Sequence, residues 1–274
     1  MVQSQAKDIY YALRVVTAMC FIGHGAFGII TKEIWTHYFG VFGIGHDTAY
    51  AMMPYVGVID ICLGISLLIY PTRIVLGWLF AWGLTTAFLR PLSGEPFAEF
   101  IERTGNFGAP LALLLLTSQQ SNKNWFTLVK LPGKVDEKTL ARVALCLRVV
   151  VFLLFTGHGI LNLIEKKSLL DQYTSLGFSN PANVAHIVGA FEILGAVTIL
   201  IKPLRPIIFL LFIWKAASEL FYPHWELFEW IERGGSYGSI LALWFATREL
   251  NINKQILLAN KRLHKPSLVN ANKI

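Results

Sequence analysis

The stretch Phe21-Ile22-Gly23-His24-Gly25-Ala26 decides the architecture, because a close copy of it returns later in the chain. The copy is Phe155-Thr156-Gly157-His158-Gly159-Ile160, and an arginine followed by two valines lies ten residues before each histidine, at Arg14 and at Arg148. One offset of 134 residues relates the two copies. Since there are only two copies, each of more than a hundred residues, the pattern predicts an internal tandem duplication and not an array of short units.

The duplication continues through the remainder of each half. An acidic residue followed eleven positions later by a proline recurs, as Asp60 with Pro71 and as Glu192 with Pro203. The other matched features are Trp82 and Trp214, Pro91 and Pro223, the segments 99–103 and 229–233, and the segments 105–108 and 235–238. We therefore expect two related bundles that face each other.

The composition places the chain in a membrane. Of its 274 residues 54% are hydrophobic and 15% are charged, and the mean hydropathy of +0.52 is too high for a soluble domain. The net charge of +7 then concerns orientation and anionic headgroups. Membrane lipids are the expected partners, and nucleic acid is not, because no basic helix or RNA-binding signature is present.

The apolar stretches predict an all-α integral membrane protein with eight transmembrane helices, arranged as two fused, repeat-related four-helix bundles. An amphipathic segment at 95–103 and another at 226–233 should lie at the interface or lead obliquely into the last span of each half. The predicted spans are about 9–30, 49–70, 74–90, 106–118, 139–164, 183–201, 204–222 and 236–248. The predicted divisions are a first repeat at 8–118, a cytoplasmic linker at 119–138, a second repeat at 139–248 and a basic cytoplasmic tail at 249–274.

Lysines and arginines concentrate in the linker and the tail, so the positive-inside rule places both termini in the cytoplasm of a bacterial inner membrane. Arg14 and Arg148 then lie near cytoplasmic helix ends, where their side chains can snorkel, although the deeper Arg148 needs a partner. The same orientation puts His24, His158 and most other unusual polar residues toward the outer side.

Asp60 and Glu192 are the most costly residues, because each lies near the middle of a predicted span. His24 and His158 lie one helix away from these acids, and all four are the candidate catalytic residues. Two interpretations stay open: the acids hold helices together by hydrogen bonds, or each acid and histidine form a proton relay or a metal or quinone contact. Haem ligated by the two histidines is the weaker version, since their spacing fixes no geometry.

A second set of polar residues is a candidate for substrate binding. Interface anchoring is the simpler explanation for the Glu-Arg pairs before the last spans, and contact with a substrate or headgroup is the alternative. The set consists of Arg90, Glu102, Arg103, His224, Glu232 and Arg233. Lys215 and Glu219 are four residues apart and should neutralise each other. The cysteines show no Cys-x-x-Cys spacing, and no metal site is expected.

The second half resembles the DoxX-like family of four-helix membrane proteins. Leu147-Arg148 and Gly157-His158-Gly159 resemble its first helix, and Phe191 to Gly195 followed by Pro203-Leu204-Arg205 resembles its second helix and basic turn. Tyr222-Pro223-His224 and Gly235-Ser236-Tyr237-Gly238 are similar to its later segments. The first half looks like a diverged copy that lacks a histidine opposite His224, and a position that is often lysine in the family is Gly28 or Asn162 here.

The resemblance implies a tandem four-helix bundle and, for some members, an association with quinone-linked or thiol-linked redox systems. We expect a redox-associated role in which the histidines and acids bind a quinone or another lipophilic substrate near the outer leaflet and move protons, together with a possible redox partner protein. The alternatives are a transporter of small molecules or lipids, and a scaffold that positions a partner complex.

Overall fold

A computed structural model describes residues 2–120, 124–222 and 227–248. All regular secondary structure in these ranges is helical. The ranges contain no strand, and one isolated β-bridge joins Thr72 and Leu128. The helices are α1 (Val2–Ile29), α2 (Trp35–Gly40), α3 (His46–Ile69), α4 (Arg73–Leu92), α5 (Phe97–Glu102), α6 (Thr104–Leu116), α7 (Glu137–Leu163), α8 (Lys167–Ser175), α9 (Pro181–Ile201), α10 (Arg205–Leu220), α11 (Leu227–Glu232) and α12 (Gly234–Ala246).

Within the described ranges, five helices are long and apolar enough to cross a membrane: α1, α3, α4, α7 and α9. Helices near 20 residues are required because each residue advances the helix by about 1.5 Å. The other three predicted spans correspond to shorter helices, α6 with 13 residues, α10 with 16 and α12 with 13. The all-helical class of the described residues is thus confirmed, together with five helices long and apolar enough to span a membrane, and the eight spans and the repeat stay predictions.

The outer surface of the molecule is apolar along the helices that are least covered by the rest of the chain. On α3 the side chain of Ile69 is 74% exposed, and on α9 those of Ile187 and Ile201 are 70% and 76% exposed. A continuous apolar surface of this kind is stable against lipid and unfavourable against water. The fold is therefore compatible with a multi-pass membrane protein.

Helices α1 and α7 form the centre of the molecule and pack tightly against α3 and α9 respectively. A Cβ atom on Gly25 would lie 2.5 Å from the carbonyl oxygen of Gly57, and one on Gly159 would lie 2.9 Å from that of Gly189. Only glycine permits so close an approach of two helix backbones. The approach brings each histidine next to the acid on the neighbouring helix.

Arg14 and Arg148, expected near helix ends, lie near the middles of α1 and α7 because both helices begin earlier than predicted, and they cap the ends of the neighbouring helices α3 and α9. The Arg14 Nε atom donates to the carbonyl oxygen of Leu67 at 2.8 Å, and a second nitrogen of Arg14 donates to that of Leu68. Arg148 donates in the same way to the carbonyl oxygen of Leu200. These contacts satisfy carbonyl groups that the last turns of α3 and α9 leave unpaired, and they provide the partner that Arg148 needs.

Helices α5 and α6 are two pieces of one interrupted helix, with Arg103 between them, and α11 and α12 are interrupted at Arg233 in the same way. Each short piece packs against the other half of the chain: α5 contacts α7, and α11 contacts α1. The interrupted helices approach each other closely at Gly105 and Gly235, since a Cβ on Gly105 would lie 2.7 Å from the Gly235 carbonyl oxygen. The halves thus share their central packing.

The segment between the halves lies against α1 and the turn between α3 and α4. The Tyr10 hydroxyl donates to the Val129 carbonyl at 2.9 Å, and the Val129 N–H donates to the Pro71 carbonyl at 2.7 Å. Trp125 and Phe126 of this segment are exposed. The tail, 249–274, lies outside the described residues.

Candidate functional site

The predicted histidine and acid of the first half are in direct contact. His24 Nδ1 lies 2.7 Å from Asp60 Oδ2, and the Trp82 indole N–H donates to the same carboxylate oxygen at 3.3 Å. Asp60 is buried, with 1% of its surface exposed. A buried carboxylate needs hydrogen-bond donors around it, and these two side chains from α1 and α4 supply them.

The second half has the same arrangement of a histidine, a tryptophan and an acid, with glutamate in place of aspartate. His158 Nδ1 lies 2.5 Å from Glu192 Oε2, and the Trp214 indole N–H donates to Glu192 Oε1 at 3.0 Å. Asn162, one helical turn beyond the histidine, approaches His158 Nδ1 at 3.3 Å and accepts a hydrogen bond from the Tyr173 hydroxyl at 2.6 Å. The second histidine is therefore held by more partners than the first.

In both halves the carboxylate engages Nδ1, so Nε2 is the imidazole nitrogen that is free for a ligand. Neither His24 nor His158 makes another side-chain hydrogen bond through its ring nitrogens to the described residues, apart from the Asn162 contact. A histidine oriented by a carboxylate through one nitrogen can accept or deliver a proton through the other. Each histidine also lines a cavity.

The first pocket lies beside His24 and has a volume of about 120 Å³. The His24 ring stacks on Trp35, with ring centroids 4.5 Å apart. The polar lining is His24, Arg90, Arg103, Asn106 and Glu232, and the aromatic lining is Trp35, Tyr38, Phe39, Phe42 and Trp82.

The second pocket lies beside His158 and is larger, with a volume of about 310 Å³. Apolar side chains of α7, α8 and α9 form much of its wall, among them Leu161, Leu169, Val184 and Val188. Its polar end is formed by Glu102, His158, Lys166, Glu219 and Arg233. This combination of an apolar wall and a few convergent polar groups is typical of a small-molecule site.

Each pocket contains a glutamate from the opposite half of the chain. Glu102 of α5 lines the second pocket, and Glu232 of α11 lines the first. The approach depends on two glycines, because a Cβ on Gly157 would clash with the backbone of Glu102 and a Cβ on Gly23 would clash with that of Glu232. Gly23 and Gly157, each next to a histidine, therefore let α11 and α5 pack against the opposite half of the chain. These two helices are here called the exchanged helices.

A network of buried ion pairs, here called the charge belt, joins the two pockets. Glu102 accepts from Arg103 at 2.7 Å and from Arg233 at 2.8 Å. Arg233 also lies 3.0 Å from Glu219, which pairs with Lys215 at 2.6 Å as the sequence predicted. Besides Arg233 with Glu102, two lysine–glutamate pairs cross between the halves, Lys32 with Glu229 and Lys166 with Glu99. Such buried charges are tolerated because they are paired.

The charge belt continues outward from Arg90 to the loop before α5. Arg90 lies 3.0 Å from Glu95 and 3.4 Å from Glu99, and the Tyr38 hydroxyl donates to Glu95 at 2.5 Å. Partial burial raises the pKa of Glu95, but the Arg90 charge and the Tyr38 hydrogen bond outweigh it and hold that pKa below its ordinary value. Glu95 is therefore held in the ionised form.

Glu102, His158 and Glu219 bring ligand atoms within 4.8 Å of one another, as a metal site would. Both carboxylates, however, are already paired with Arg233, and Glu219 also pairs with Lys215. A divalent cation would add charge to a group that is already balanced. The contacts identify this cluster as part of the charge belt.

The structure places the predicted site residues in two groups. The four candidate catalytic residues form the two histidine–carboxylate pairs, and Arg90, Glu102, Arg103, Glu232 and Arg233 line the pockets. His224 lies outside the described residues. Helices α5 and α11, within the predicted amphipathic segments, point their acids into the protein, where Glu99 and Glu229 are buried, while Phe97 and Leu227 are exposed.

Sequence reasoning did not identify several members of the site. Trp82 and Trp214 appeared only as matched positions of the repeat, although they donate to the buried acids. Lys32 and Lys166 were not singled out, although each pairs with the opposite half. The tryptophans recur at an offset of 132 residues and the lysines at an offset of 134, and this recurrence was the signal that could have found them.

Fold and site together define, in the described part of the chain, an all-helical protein with five helices of membrane-spanning length and two histidine–carboxylate pockets joined by a charge belt. Comparisons with protein-family models, with curated proteins and with solved structures found no match. Function is therefore argued from the geometry.

Proposed function

We propose that this protein is a DoxX-like, tandemly duplicated membrane protein with a redox-associated role, and that it binds a quinone or a similar lipophilic molecule in the second pocket. The observation that carries the proposal is the His158–Glu192 pair at the polar end of an apolar cavity of about 310 Å³. A quinone has an apolar body and polar oxygens that take up protons when it is reduced. The pocket matches both properties.

In this proposal His158 exchanges a proton with the ligand through Nε2, and Glu192 stabilises the imidazolium that forms. Trp214 and Asn162 hold the pair in position. His24 and Asp60 form the matching pair in the first half, beside the smaller pocket. The electrons come from or pass to a redox partner protein, because the described residues offer no redox-active group beyond single free cysteines.

We also propose that the chain is an internal duplication and that it crosses the membrane eight times. The two histidine–acid–tryptophan sets, the two crossing lysine–glutamate pairs and the two interrupted helices support the duplication. Helices α5 and α6 together cover residues 97–116, and α11 and α12 cover 227–246, so each interrupted pair is long enough to cross a membrane. An interruption at membrane depth is stable where protein surrounds it.

We place the protein in a bacterial inner membrane with both termini in the cytoplasm, since the linker and tail are rich in lysine and arginine. The pockets then open toward the outer leaflet, at the end of α1 and α7 that carries the histidines. A lipophilic ligand reaches them from the lipid.

The test uses the full chain in lipid nanodiscs, titrated with decylubiquinone while intrinsic tryptophan fluorescence is recorded. We expect saturable quenching that Glu192→Gln weakens at least about tenfold, equivalent to about 1.4 kcal/mol. The matched change in the first half, Asp60→Asn, should leave this titration unchanged. Unaltered affinity in Glu192→Gln would remove the second pocket from the proposal. A reduced-minus-oxidised difference spectrum of the purified protein would also reveal co-purified quinone or haem.

Transport of a small molecule is the second candidate, and the two interrupted helices favour it. Their breaks carry Arg103 and Arg233 and meet at the centre of the molecule near Gly105 and Gly235. Interrupted helices at a binding site recur in membrane transporters. Uptake of a ligand into sealed vesicles that contain the protein, with none in vesicles without it, would support transport over redox chemistry.

A further inference from the structure

Glu232 is a buried carboxylate for which the described residues provide no direct partner. It is 8% exposed and lines the first pocket, and it makes neither a hydrogen bond nor an ion pair within the described ranges. Its counterpart in the other half, Glu102, is held by both Arg103 and Arg233. The two exchanged glutamates therefore differ: one is neutralised by the protein, and the other is presented to a cavity.

The cations around the first pocket are already engaged by other carboxylates. Arg103 contacts Glu102 at 2.7 Å and Glu99 at 3.5 Å, and Arg90 is paired with Glu95 and Glu99. His24 is bound to Asp60 through Nδ1. Even in its protonated form, this single histidine would stand between two carboxylates, Asp60 and Glu232. Arg103, Arg233 and Lys32 attract the Glu232 carboxylate without direct contact, so a cation that touches it would stabilise it further.

The rest of the cavity is suited to a ring. Its volume of about 120 Å³ is similar to that of a cavity that accepts benzene, about 150 Å³. The aromatic side chains in its wall are Trp35, Tyr38, Phe39, Phe42 and Trp82. Aromatic walls attract organic cations through the negative charge of the ring faces, and a carboxylate at one end adds a full negative charge.

We propose that the first pocket binds a compact organic ammonium ion, with the ammonium group on Glu232 and an aromatic or alicyclic body between the aromatic side chains. Asn106 and His24 Nε2 lie in the same lining and offer further acceptors. This ligand class differs from the lipophilic, uncharged molecule proposed for the second pocket. The inference does not depend on redox chemistry.

The experiment measures binding of three probes of similar size to the full chain in lipid nanodiscs by calorimetry: benzylammonium, benzyl alcohol and benzoate. We expect benzylammonium to bind at least about tenfold more tightly than the other two. Glu232→Gln keeps the shape of the side chain and removes its charge, so benzylammonium should bind about tenfold more weakly while benzyl alcohol is little affected. Glu165→Gln removes an exposed carboxylate and should change nothing.

Equal binding of benzylammonium and benzyl alcohol to the unmodified protein would overturn the inference, as would tighter binding of benzoate. These comparisons need no variant, so they stand if Glu232→Gln fails to fold. A folded Glu232→Gln protein that keeps its benzylammonium affinity would equally overturn it. The decylubiquinone titration on the same samples separates this result from the proposed function, because it reports the second pocket.

Discussion

Asp60 and Glu192 are held in the protein interior by hydrogen bonds that come from two neighbouring helices. Each accepts from a histidine and from a tryptophan. The tryptophan supplies a second donor, to the other carboxylate oxygen of Glu192 and to the same oxygen of Asp60 that the histidine contacts. A hydrogen bond to a charged group contributes about 1.5–3 kcal/mol, and a buried charge that loses a donor is destabilised by a similar amount.

We therefore predict that Trp82→Phe and Trp214→Phe each lower the free energy of unfolding by about 1.5–3 kcal/mol. Phenylalanine keeps most of the apolar contact but has no N–H to donate. The measurement is thermal or denaturant unfolding of the detergent-solubilised protein. Trp125→Phe, in the exposed part of the linker, is the control and should change stability little. Equal stability of all three variants would show that the indole donors are unimportant.

Glu95 gives a pH-dependent prediction outside the membrane-spanning helices. The pKa of Glu95 is depressed in the folded protein, so its ionised form stabilises the fold above the ordinary glutamate pKa of about 4.3. That contribution is lost as the pH falls through the lower, folded-state pKa. Glu95→Gln should therefore be less stable than the unmodified protein at neutral pH, and the two should converge below about pH 4. A stability difference that does not change with pH would contradict this assignment.

The buried acids Asp60 and Glu192 were predictable from the sequence, but not all of their hydrogen-bond partners were. An acid in the middle of an apolar run must face the protein interior, and this reasoning found Asp60 and Glu192. Which side chain of α4 or α10 reaches the acid depends on the rotation and vertical position of that helix, and hydropathy does not fix these. The sequence therefore identified Trp82 and Trp214 as repeated positions but did not show that they donate hydrogen bonds to the acids.

At the scale of helices, glycine decides where the exchanged segments dock. Gly23 and Gly157 lie where the ends of α11 and α5 contact α1 and α7, with no space for a side chain. The contact places Glu232 and Glu102 in the pockets. A methyl group at either glycine would push a helix backbone outward and move the glutamate with it.

Gly157→Ala should accordingly destabilise the protein by at least about 1–3 kcal/mol, the usual effect of overpacking. The added Cβ meets backbone atoms of Glu102, which cannot turn away as a flexible side chain could. Unfolding in detergent measures the effect. Gly40→Ala is the matched control, because a Cβ there meets nothing within 4 Å. If both variants were equally stable, the close contact between α5 and α7 would be wrong.

The amphipathic pattern of α5 and α11 was read correctly, but the surroundings of each face could not be deduced from it. A pattern separates polar from apolar side chains without stating whether water, lipid or protein covers each face. Here the polar face is buried against the other half, and Phe97 and Leu227 are exposed. In a membrane the apolar face is the stable outer face, which explains the inversion relative to a soluble protein.

At the scale of the whole molecule, the two halves are joined by more than the linker. Helix α5 docks on the second half and α11 on the first, and the crossing pairs Lys32–Glu229 and Lys166–Glu99 fasten both docked helices. The sequence predicted two related bundles facing each other. It could not predict this exchange, because a repeat offset relates equivalent positions and says nothing about which half a segment contacts.

The crossing pairs can be tested with a double-mutant cycle on Lys32 and Glu229. Lys32→Met leaves the buried Glu229 with only the longer contact to Arg233, at 3.8 Å, so this single change should be destabilising. The double variant Lys32→Met, Glu229→Gln removes both charges and should recover part of the loss, with a coupling free energy of about 0.5–3 kcal/mol. Unfolding of the unmodified protein, Lys32→Met, Glu229→Gln and the double variant in the same detergent supplies the four values of the cycle.

Lys167→Met removes an exposed lysine that begins α8 and serves as the control. Its effect should be within about 0.5 kcal/mol, as for most surface substitutions. A coupling near zero between Lys32 and Glu229 would mean that α11 is positioned by packing against Gly23 alone. A clear coupling would mean that charge pairing across the halves also fixes α11, and with it the position of Glu232 in the first pocket.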